Sequence, residues 1–291
     1  MNTINMETVF LVNPAAGRGR ADGIWKRLMP RALELFPGAR VLYTEGPGHA
    51  TELARAHPGT CIIVVGGDGT FHEALQGAWQ QDCVMGILPA GSGNDLVRAL
   101  DLPSRPEEVL ERLGKKDVRV IDLGQVADQV FVNGAGIGFD ARVTDMVNRG
   151  FRLLKGHAAY LAALVICLFT FRGTMARVEG ENFSFHGRIL IVTAANGPFL
   201  GGGIHVAPGA RPDSGRLRFC LIRDIPVLKR LTFFAKVIRG EHENLSFVTL
   251  FDDTQVRVET EDSMPVHADG EICGKSPARF TVLPGVLKVL V

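Results

Sequence analysis

The sequence predicts two domains, an α/β domain first and then a β-sandwich with inserted helices. Up to about residue 123, short apolar strand segments alternate with helical segments, which is typical of a parallel sheet with helices on its faces. Beyond this point, apolar runs such as 187–195 and 255–260 are separated by Gly, Pro, Asn and Asp, with few helical stretches. That pattern is typical of an all-β domain. We therefore expect the domain boundary near residue 123.

The first domain is predicted to alternate short strands with helices. The predicted strands are 9–12, 41–43, 61–65, 84–89 and 118–123, and the predicted helices are 23–36, 48–56, 70–80, 94–100 and 103–114. Pro30 lies inside the first of these helices and should kink or interrupt it, because proline removes a backbone donor. In the second region, helices are expected near 140–172 and 226–240.

The net charge and the cysteine content argue against a nucleic-acid-binding protein and against a disulfide-stabilised one. A formal net charge of +1 in 291 residues gives no sign of a nucleic-acid-binding protein. The five cysteines are scattered, odd in number and without a C-x-x-C pair, so we interpret them as buried apolar side chains in a reducing compartment. Because the N-terminal residues lack a signal-peptide pattern, a cytoplasmic protein is expected.

The longest apolar run covers residues 160–171. A helix that spans a bilayer needs about 20 apolar residues, so this run is too short to do so. We expect a buried core helix. The alternative is a helix that touches the membrane surface, with Lys155, His157 and Arg172 near the lipid headgroups.

The stretch 61–77 carries the most informative turn. A buried strand, 61–65, runs into Gly66-Gly67-Asp68-Gly69-Thr70, whose glycines let the backbone turn and approach a bound group. Thr70 stands at a predicted N-cap, and Glu73 completes a Thr-x-x-Glu capping box. The amides and dipole of such a helix start attract phosphate. Since Asp68 would repel a bare phosphate, it suggests a bound magnesium ion or a hydroxyl to be deprotonated. An ordinary strand–helix turn is the alternative.

Three more loops follow predicted strands and are also rich in Gly, Asn, Ser or Thr. They are Asn13-Pro-Ala-Ala-Gly-Arg-Gly19, the loop that begins at Thr44, and Ala90-Gly-Ser-Gly-Asn-Asp95. In a doubly wound sheet, ligands bind beyond the carboxyl ends of the strands, so all four loops should meet at one edge. The chain has no G-x-x-x-x-G-K-[ST] loop. Backbone amides and the arginines near Arg18 would therefore have to hold a polyphosphate.

In the second region, Asp269-Gly270-Glu271 is the main candidate for chemistry. Two carboxylates two residues apart can act as a pair, one of them orienting the other or raising its pKa, and so produce a general base for a hydroxyl. The alternative is a simple hairpin turn, because Asp-Gly is a common turn dipeptide. Two glycine-rich segments are weaker candidates: 133–141, a turn with Asp140 near a helix start, and 196–205, a cleft wall or a surface loop.

Taken in order, these motifs resemble those of the diacylglycerol kinase catalytic-domain family of lipid kinases, which includes sphingosine kinases. The resemblance covers nearly the whole chain. It rests on Asn13-Pro14 with Gly17, Thr44 with Gly48-His49-Ala50, Gly66 to Thr70 with Glu73, Pro89 with Gly91 to Asp95, Asn133 with Gly136 and Gly138, and Asp269-Gly270-Glu271. The Gly-Gly-Asp-Gly turn alone is not specific, because NAD kinases and phosphofructokinases share it.

The resemblance implies an α/β nucleotide-binding domain of the phosphofructokinase and NAD kinase type, residues 1–123 plus about 284–291. It also implies a β-rich lipid substrate domain, residues 124–283, with the active site in the cleft between the two. The implied reaction is ATP- and Mg²⁺-dependent phosphorylation of a hydroxyl on a lipid such as diacylglycerol, phosphatidylglycerol or a sphingoid base. An NAD kinase-like enzyme acting on a small molecule, or a nucleotide- or lipid-binding protein without turnover, are the alternatives.

The resemblance also assigns residues and partners. Nucleotide contacts are carried over to Asn13, Thr44, Gly66, Gly67, Asp68, Gly69, Thr70, Phe71, His72, Glu73, Gly91, Ser92 and Asn94. Glu271 or Asp269 would be the base that activates the hydroxyl, and Asp68 would lie near the magnesium-nucleotide. The implied partners are a lipid substrate and the membrane surface, contacted transiently at its inner face by a cytoplasmic protein; a homodimer is left open.

The chain departs from the family pattern at one point in the sandwich. Bacterial members often carry Asp-Asp-Gly or Asn-Asp-Gly there and bind a structural magnesium through the second side chain and nearby carbonyls. Here Ser214 stands at the carboxylate position, and Arg211 and Arg216 stand at the carbonyl positions. A serine hydroxyl is a poor Mg²⁺ ligand compared with a carboxylate. Either Asp213 substitutes, or this metal site is weakened or absent.

Overall fold

The computed structural model describes residues 6–150 and 157–291. Its contacts divide the chain into two compact units, Met1–Asp122 with Gly285–Val291, and Leu123–Pro284. The first unit alternates strands and helices, and the second is dominated by antiparallel strands with helices inserted between them. The predicted fold class, an α/β domain followed by a β-rich domain with inserted helices, is confirmed.

The first unit is built on a parallel sheet. Its elements are β1 (Thr8–Val12), α1 (Arg20–Leu35), β2 (Arg40–Tyr43), α2 (His49–Arg55), β3 (Cys61–Gly66), α3 (Asp68–Ala78), β4 (Val84–Pro89), α4 (Asp95–Ala99), α5 (Pro106–Leu113) and the start of β5 (Val118–Val126). β1 pairs in parallel with β2 and β3, and β3 pairs in parallel with β4. Every residue of β3 and β4 is buried, as expected for central strands covered on both faces.

Pro30 does not interrupt α1, so of the two predicted outcomes, a kink or an interruption, the interruption is wrong. The helix continues from Arg20 to Leu35 through the proline. Trp25 on one side of Pro30 and Ala32 on the other are both fully buried, and the Trp25 ring lies 4.9 Å from that of Phe10 in β1. Burial of this apolar face offsets the loss of one hydrogen bond inside the helix.

The second unit consists mainly of antiparallel strands. Its elements are the end of β5, β6 (Gln129–Phe131), β7 (Gly134–Gly138), α6 (Phe139–Arg149), α7 (His157–Thr170), β8 (Thr174–Glu179), β9 (Ser184–Ala195), β10 (Leu217–Arg223), α8 (Val227–Arg239), β11 (Val248–Asp253), β12 (Gln255–Thr260), β13 (Pro265–Ala268), β14 (Glu271–Lys275) and most of β15 (Ala278–Leu290). β7 lies between β9 and β13, and β13 also pairs with β14. The glycine-rich residues 134–138 therefore form a strand rather than the predicted turn.

Two apolar cores stabilise the second unit. One lies among the strands and includes Phe131, Phe219 and Phe280. The other lies under the helices and joins Cys167 of α7 to Phe233 of α8. The last residues of β15 leave this unit and pair in parallel with β4 of the first, where Lys288 is opposite Val84.

Helix α7 contributes one face to the core and exposes another. Ala163, Cys167 and Leu168 are buried, as the core-helix interpretation expects, whereas Val165 and Phe169 are exposed. Of the predicted basic flank, Arg172 is exposed, and Lys155 lies outside the described residues. Among the helices of the described chain, none has the length and hydrophobicity that crossing a membrane requires.

Candidate active-site residues

Asp68 connects two of the predicted ligand loops. Its carboxylate oxygens accept hydrogen bonds from the backbone amides of Asp95, at 3.2 Å, and Leu96, at 3.1 Å. These amides open α4, so the carboxylate caps that helix from the neighbouring loop and lies at the positive end of its dipole. Asp68 therefore fixes the loop 90–95 to the start of α3.

The loops after β3 and β4 approach each other through their backbones. The carbonyl of Gly66 accepts hydrogen bonds from the amides of Ala90, at 2.8 Å, and Gly91, at 3.1 Å. A Cβ atom on Gly91 would lie 2.5 Å from the Cα atom of Gly67, which leaves no room for a side chain. Glycine is required here because two main chains meet, and the expectation that these loops share one edge is confirmed.

The other two loops join the same edge. The Asn13 side chain donates a hydrogen bond from Nδ2 to the Thr70 hydroxyl at 2.9 Å. Gly17 has a φ of +60°, and a Cβ there would lie 2.3 Å from the carbonyl oxygen of Ala90. The Glu73 side chain accepts the amide of Ala50, near the start of α2, at 2.9 Å. All four loops are therefore linked by direct contacts within the first unit.

The predicted Thr70–Glu73 capping box is wrong. α3 begins at Asp68, two residues earlier than expected, and its N-cap is Gly67, which has no side chain to offer. Thr70 and Glu73 lie inside the helix and bond the first and second loops instead. The residues have the types that a capping box requires. Their side chains nevertheless form hydrogen bonds with residues distant in the chain instead of with the backbone at the helix start.

The remaining predicted nucleotide contacts differ in accessibility. Phe71 and His72 are buried in α3, whereas Ser92 is exposed and Thr44 is half-buried. Asn94 has a left-handed backbone, with a φ of 57°. Its Oδ1 atom is buried, and no group among the described residues donates a hydrogen bond to it. An acceptor of this kind at the edge of a loop is a suitable partner for a ligand donor.

In the second unit, Asp269 and Gly270 form the turn between β13 and β14. Their φ values are 45° and 91°, and a two-residue hairpin turn with both φ positive favours Asp-Gly. The carboxylate of Asp269 accepts the amides of three consecutive residues, 132–134, at 2.8 to 2.9 Å. A hairpin turn is therefore present, and the role of Glu271 or Asp269 as a base stays a prediction. Asp269 anchors the turn, and Glu271, which follows it, is exposed.

Beside this turn lies a pair of polar side chains, His267 and Asp140, of which the sequence singled out only Asp140, near a predicted helix start. His267 of β13 has its Nε2 atom 3.1 Å from Oδ2 of Asp140, in the first turn of α6. The Thr193 hydroxyl of β9 donates to the same oxygen at 3.2 Å. The partners are separated by 127 and 53 residues, so only the antiparallel register of β13, β7 and β9 brings them together. His267 could have been noticed only as a lone polar side chain in an apolar strand.

The family's structural-metal positions form a self-contained turn here. The Ser214 hydroxyl donates to the carbonyl oxygen of Arg216 at 2.9 Å, and the Ser214 amide donates to the carbonyl of Arg211 at 3.3 Å. Asp213 has its Oδ1 atom 3.4 Å from Nε of Arg211. Both carbonyls that would bind a metal accept hydrogen bonds, and the Arg211 guanidinium lies beside Asp213. Within the described residues, no group of three or more His, Cys, Asp or Glu side chains could hold a metal ion.

Comparison with known proteins agrees with this arrangement in both units. The model of the diacylglycerol kinase catalytic domain matches residues 7–126, and that of the YegS C-terminal NAD kinase beta sandwich-like domain matches residues 134–291. YtlR of Bacillus subtilis (strain 168), which bears the name of a lipid kinase, is 30% identical over 96% of this chain and 98% of its own length. A diacylglycerol kinase of Mycobacterium tuberculosis (strain H37Rv) is 29% identical over 96% and 93%.

Solved structures share the fold. A diacylglycerol kinase from Bacillus anthracis str. Sterne aligns with a TM-score of 0.78 at 22% identity, covering 98% of this chain and 96% of that one. A second chain from that organism aligns with a TM-score of 0.83 at 23% identity, covering 98% and 97%. Fold and matches together define a two-domain lipid kinase, a phosphotransferase. The chain belongs to the family in which a diacylglycerol kinase catalytic domain is followed by a YegS-type C-terminal domain.

Proposed function

We propose that this protein transfers the γ-phosphoryl group of ATP to a hydroxyl of a lipid of the diacylglycerol type, with Mg²⁺ as the metal. The observation that carries the proposal is the joining of four loops around Asp68 at the carboxyl edge of the parallel sheet. Relatives named diacylglycerol kinase support the choice of lipid. Phosphatidylglycerol and sphingoid bases are the acceptors to compare with it.

The first unit fits a nucleotide in its donors and acceptors. The glycine loop at 66–69 leads into the start of α3, a helix of 11 residues, and the amides at such a helix start can stabilise a phosphate. The buried Oδ1 atom of Asn94, which accepts no hydrogen bond from the described residues, can accept one from a nucleotide amino or hydroxyl group. Asp68 would hold the magnesium ion together with phosphate oxygens. When bound, Mg²⁺ neutralises charge on the transferring phosphoryl group.

In the second unit, we propose Glu271 rather than Asp269 as the base. Asp269 commits its carboxylate to three backbone amides, so its effect is to fix the turn. Glu271 is exposed as the first residue of β14, where a substrate hydroxyl can reach it. A carboxylate that accepts the hydroxyl proton as the oxygen attacks phosphorus is a general base.

Contact with a bilayer is proposed through α8. Leu228 is 81% exposed and, with Leu231 and Ile238, forms an apolar stripe at helical spacing. The helix also carries Lys229, Lys236 and Arg239 on exposed positions and has no acidic residue. An exposed apolar stripe with basic residues beside it fits an anionic lipid surface.

The membrane proposal is tested by flotation with phosphatidylcholine vesicles that contain or lack phosphatidylglycerol. Leu228→Asp with Leu231→Asp should reduce binding to the anionic vesicles by about tenfold or more. Leu33→Asp, at an exposed apolar position of α1, is the matched control and should bind as the wild type does. Equal binding of the α8 variant and the wild type would contradict the proposal.

The activity is tested by transfer of labelled γ-phosphate from ATP to purified lipids, separated by thin-layer chromatography. A labelled diacylglycerol product that requires Mg²⁺ is the expected result. Label on phosphatidylglycerol or on a sphingoid base alone would replace the proposed acceptor. Label on NAD⁺ alone, or nucleotide binding without any labelled product, would contradict the proposed reaction.

A further inference from the structure

The turn that presents Glu271 is attached to the protein at both of its central residues. Asp269 is held through its carboxylate by amides 132–134 and donates its own amide to the carbonyl of Gly134 at 2.8 Å. Gly270 donates its amide to Nδ1 of His267, at 3.4 Å. The second attachment is weaker in geometry, and it acts on the residue directly before Glu271.

The hydrogen bonds of His267 define its tautomer. Nδ1 faces a backbone amide, which can only donate, so Nδ1 is the acceptor. Nε2 faces the carboxylate of Asp140, which accepts, so Nε2 carries the proton. The imidazole therefore transmits a fixed orientation from α6 to the turn, because each ring nitrogen has one partner.

Asp140 is itself fixed at the start of α6. Its Oδ1 atom accepts the amide of Ala141 at 2.7 Å, and its Oδ2 atom accepts the hydroxyl of Thr193 in addition to His267. Space for the pair is provided by Gly136, where a Cβ would lie 1.9 Å from Oδ2 of Asp140 and 2.9 Å from Nε2 of His267. A side chain at 136 would displace the pair, so β7 must carry glycine here.

We propose that His267 is a positioning residue for Glu271. Its Nδ1 atom holds the amide of Gly270, its Nε2–H group is held by Asp140, and the carboxylate of Glu271 is thereby kept in the orientation that phosphoryl transfer requires. This inference rests on the proposed function, since it assigns a purpose to the orientation of the base. Misplacement of a catalytic group by about 1 Å can lower the rate about 10²-fold. Loss of one of the two hydrogen-bonded attachments of the turn should therefore lower the rate measurably.

Two substitutions at His267 separate its two hydrogen bonds. Asparagine places an oxygen near the position of Nδ1 and can still accept the Gly270 amide, although it does not reach Asp140. Glutamine places its amide group near the position of Nε2 and can still donate to Asp140, while the Gly270 amide loses its acceptor. Each variant buries a polar amide and loses one hydrogen bond, so the two are matched in stability. Thr193→Val removes a third hydrogen bond of Asp140 without touching the turn.

The expected result is a split in kcat. His267→Gln should lower kcat by about tenfold, while His267→Asn and Thr193→Val should stay within about threefold of the wild type. The KM for ATP should change little in any of them, because the proposed nucleotide contacts lie in the first unit. Equal kcat values for His267→Asn and His267→Gln, at equal folded fractions, would overturn the proposal and leave His267 as a packing residue.

A second measurement does not depend on turnover. Amide hydrogen exchange at Gly270 and Glu271 should be accelerated in His267→Gln and near the wild-type rate in His267→Asn. Unchanged exchange in both variants would also overturn the proposal. If the wild-type protein phosphorylates no lipid while the exchange rates split as expected, the proposed function has failed and the attachment of the turn stands.

Discussion

Both units hold a carboxylate against backbone amides, and the two carboxylates differ in what they bond. Asp68 accepts the amides of Asp95 and Leu96 at the start of a helix, where two glycine-containing loops meet. Asp269 accepts three successive amides from 132–134 and is the first residue of a tight turn. An aspartate in a motif can therefore be required for the local shape of the backbone, whether or not it also takes part in chemistry.

The largest effect is expected at Asp269. Asp269→Ala leaves three buried amides without their acceptor, and each such loss costs about 1 kcal/mol or more, so the free energy of unfolding should fall by about 3 kcal/mol. Activity should be lost together with stability. Urea denaturation followed by circular dichroism measures the change. A variant that is inactive and yet as stable as the wild type would show that Asp269 acts in the chemistry and not in the architecture.

At Asp68, activity should be affected far more than stability. Asp68→Asn keeps an oxygen that can accept an amide of α4, but it removes the charge proposed to hold Mg²⁺. We expect kcat to fall by about 10³-fold, the scale of losing a group that stabilises transition-state charge. The melting temperature should shift by only a few degrees.

The control for Asp68→Asn is Asp22→Asn. Asp22 also lies in the first turn of a helix and pairs with Lys26 at 2.7 Å, but its half-buried side chain is on α1, away from the four loops. It should retain wild-type activity. An Asp68→Asn enzyme with near wild-type kcat would reduce Asp68 to the helix-capping role seen in the structure.

Glu271→Gln tests whether Glu271, unlike Asp269, affects activity without affecting stability. Removal of a general base lowers kcat by about 10²-fold or more, whereas the exposed side chain contributes little to stability. ATP binding, measured by calorimetry, should be unchanged. Glu243→Gln, at another exposed position of this unit, is the control. Full activity of Glu271→Gln would show that Glu271 is not the general base.

A smaller effect is expected from acid at His242 in the second unit. The side chain is fully buried, its Nε2 atom is bonded to the carbonyl of Val206 at 2.9 Å, and burial lowers its pKa. In the unfolded state the histidine has a pKa of about 6.5, so just below this pH it binds a proton there but not in the folded state. Stability from this residue is complete above pH 6.5 and is lost as the pH falls below it. The free energy of unfolding should fall less steeply below pH 6.5 in His242→Leu than in the wild type.

The smallest effect is expected at the Ser214 turn. Because the Ser214 hydroxyl and the Arg216 carbonyl bond each other, we propose that this turn is stable without a metal ion. Addition of EDTA to the nucleotide-free protein should leave the melting temperature unchanged. Ser214→Ala should lower the free energy of unfolding by about 1 kcal/mol, the usual value of one hydrogen bond. A clear drop in melting temperature with EDTA would indicate a bound structural cation.

Much of the fold could be predicted from the sequence because the signals are local. Uninterrupted apolar runs such as 61–65 and 84–89 form strands only when both faces are buried, and glycine-rich turns after them allow close backbone approach. The turn at Asp269-Gly270 could also be predicted from the sequence, because this dipeptide accepts two positive φ values. These features depend on neighbours in the chain.

The hydrogen-bond partners of the motif side chains depend on tertiary contacts and could not be predicted from the sequence. Thr70 and Glu73 match a capping box, yet they bond residues 57 and 23 positions away in the chain. Asp68 caps a helix that begins 27 residues later, and His267 meets Asp140 across 127 residues. A side chain takes the partner that the packed strands bring to it, and sequence spacing does not encode those distances. Local sequence accounts for most of the elements and turns, whereas the packed strands supply the partners that hold the Asp269 carboxylate and leave Glu271 exposed.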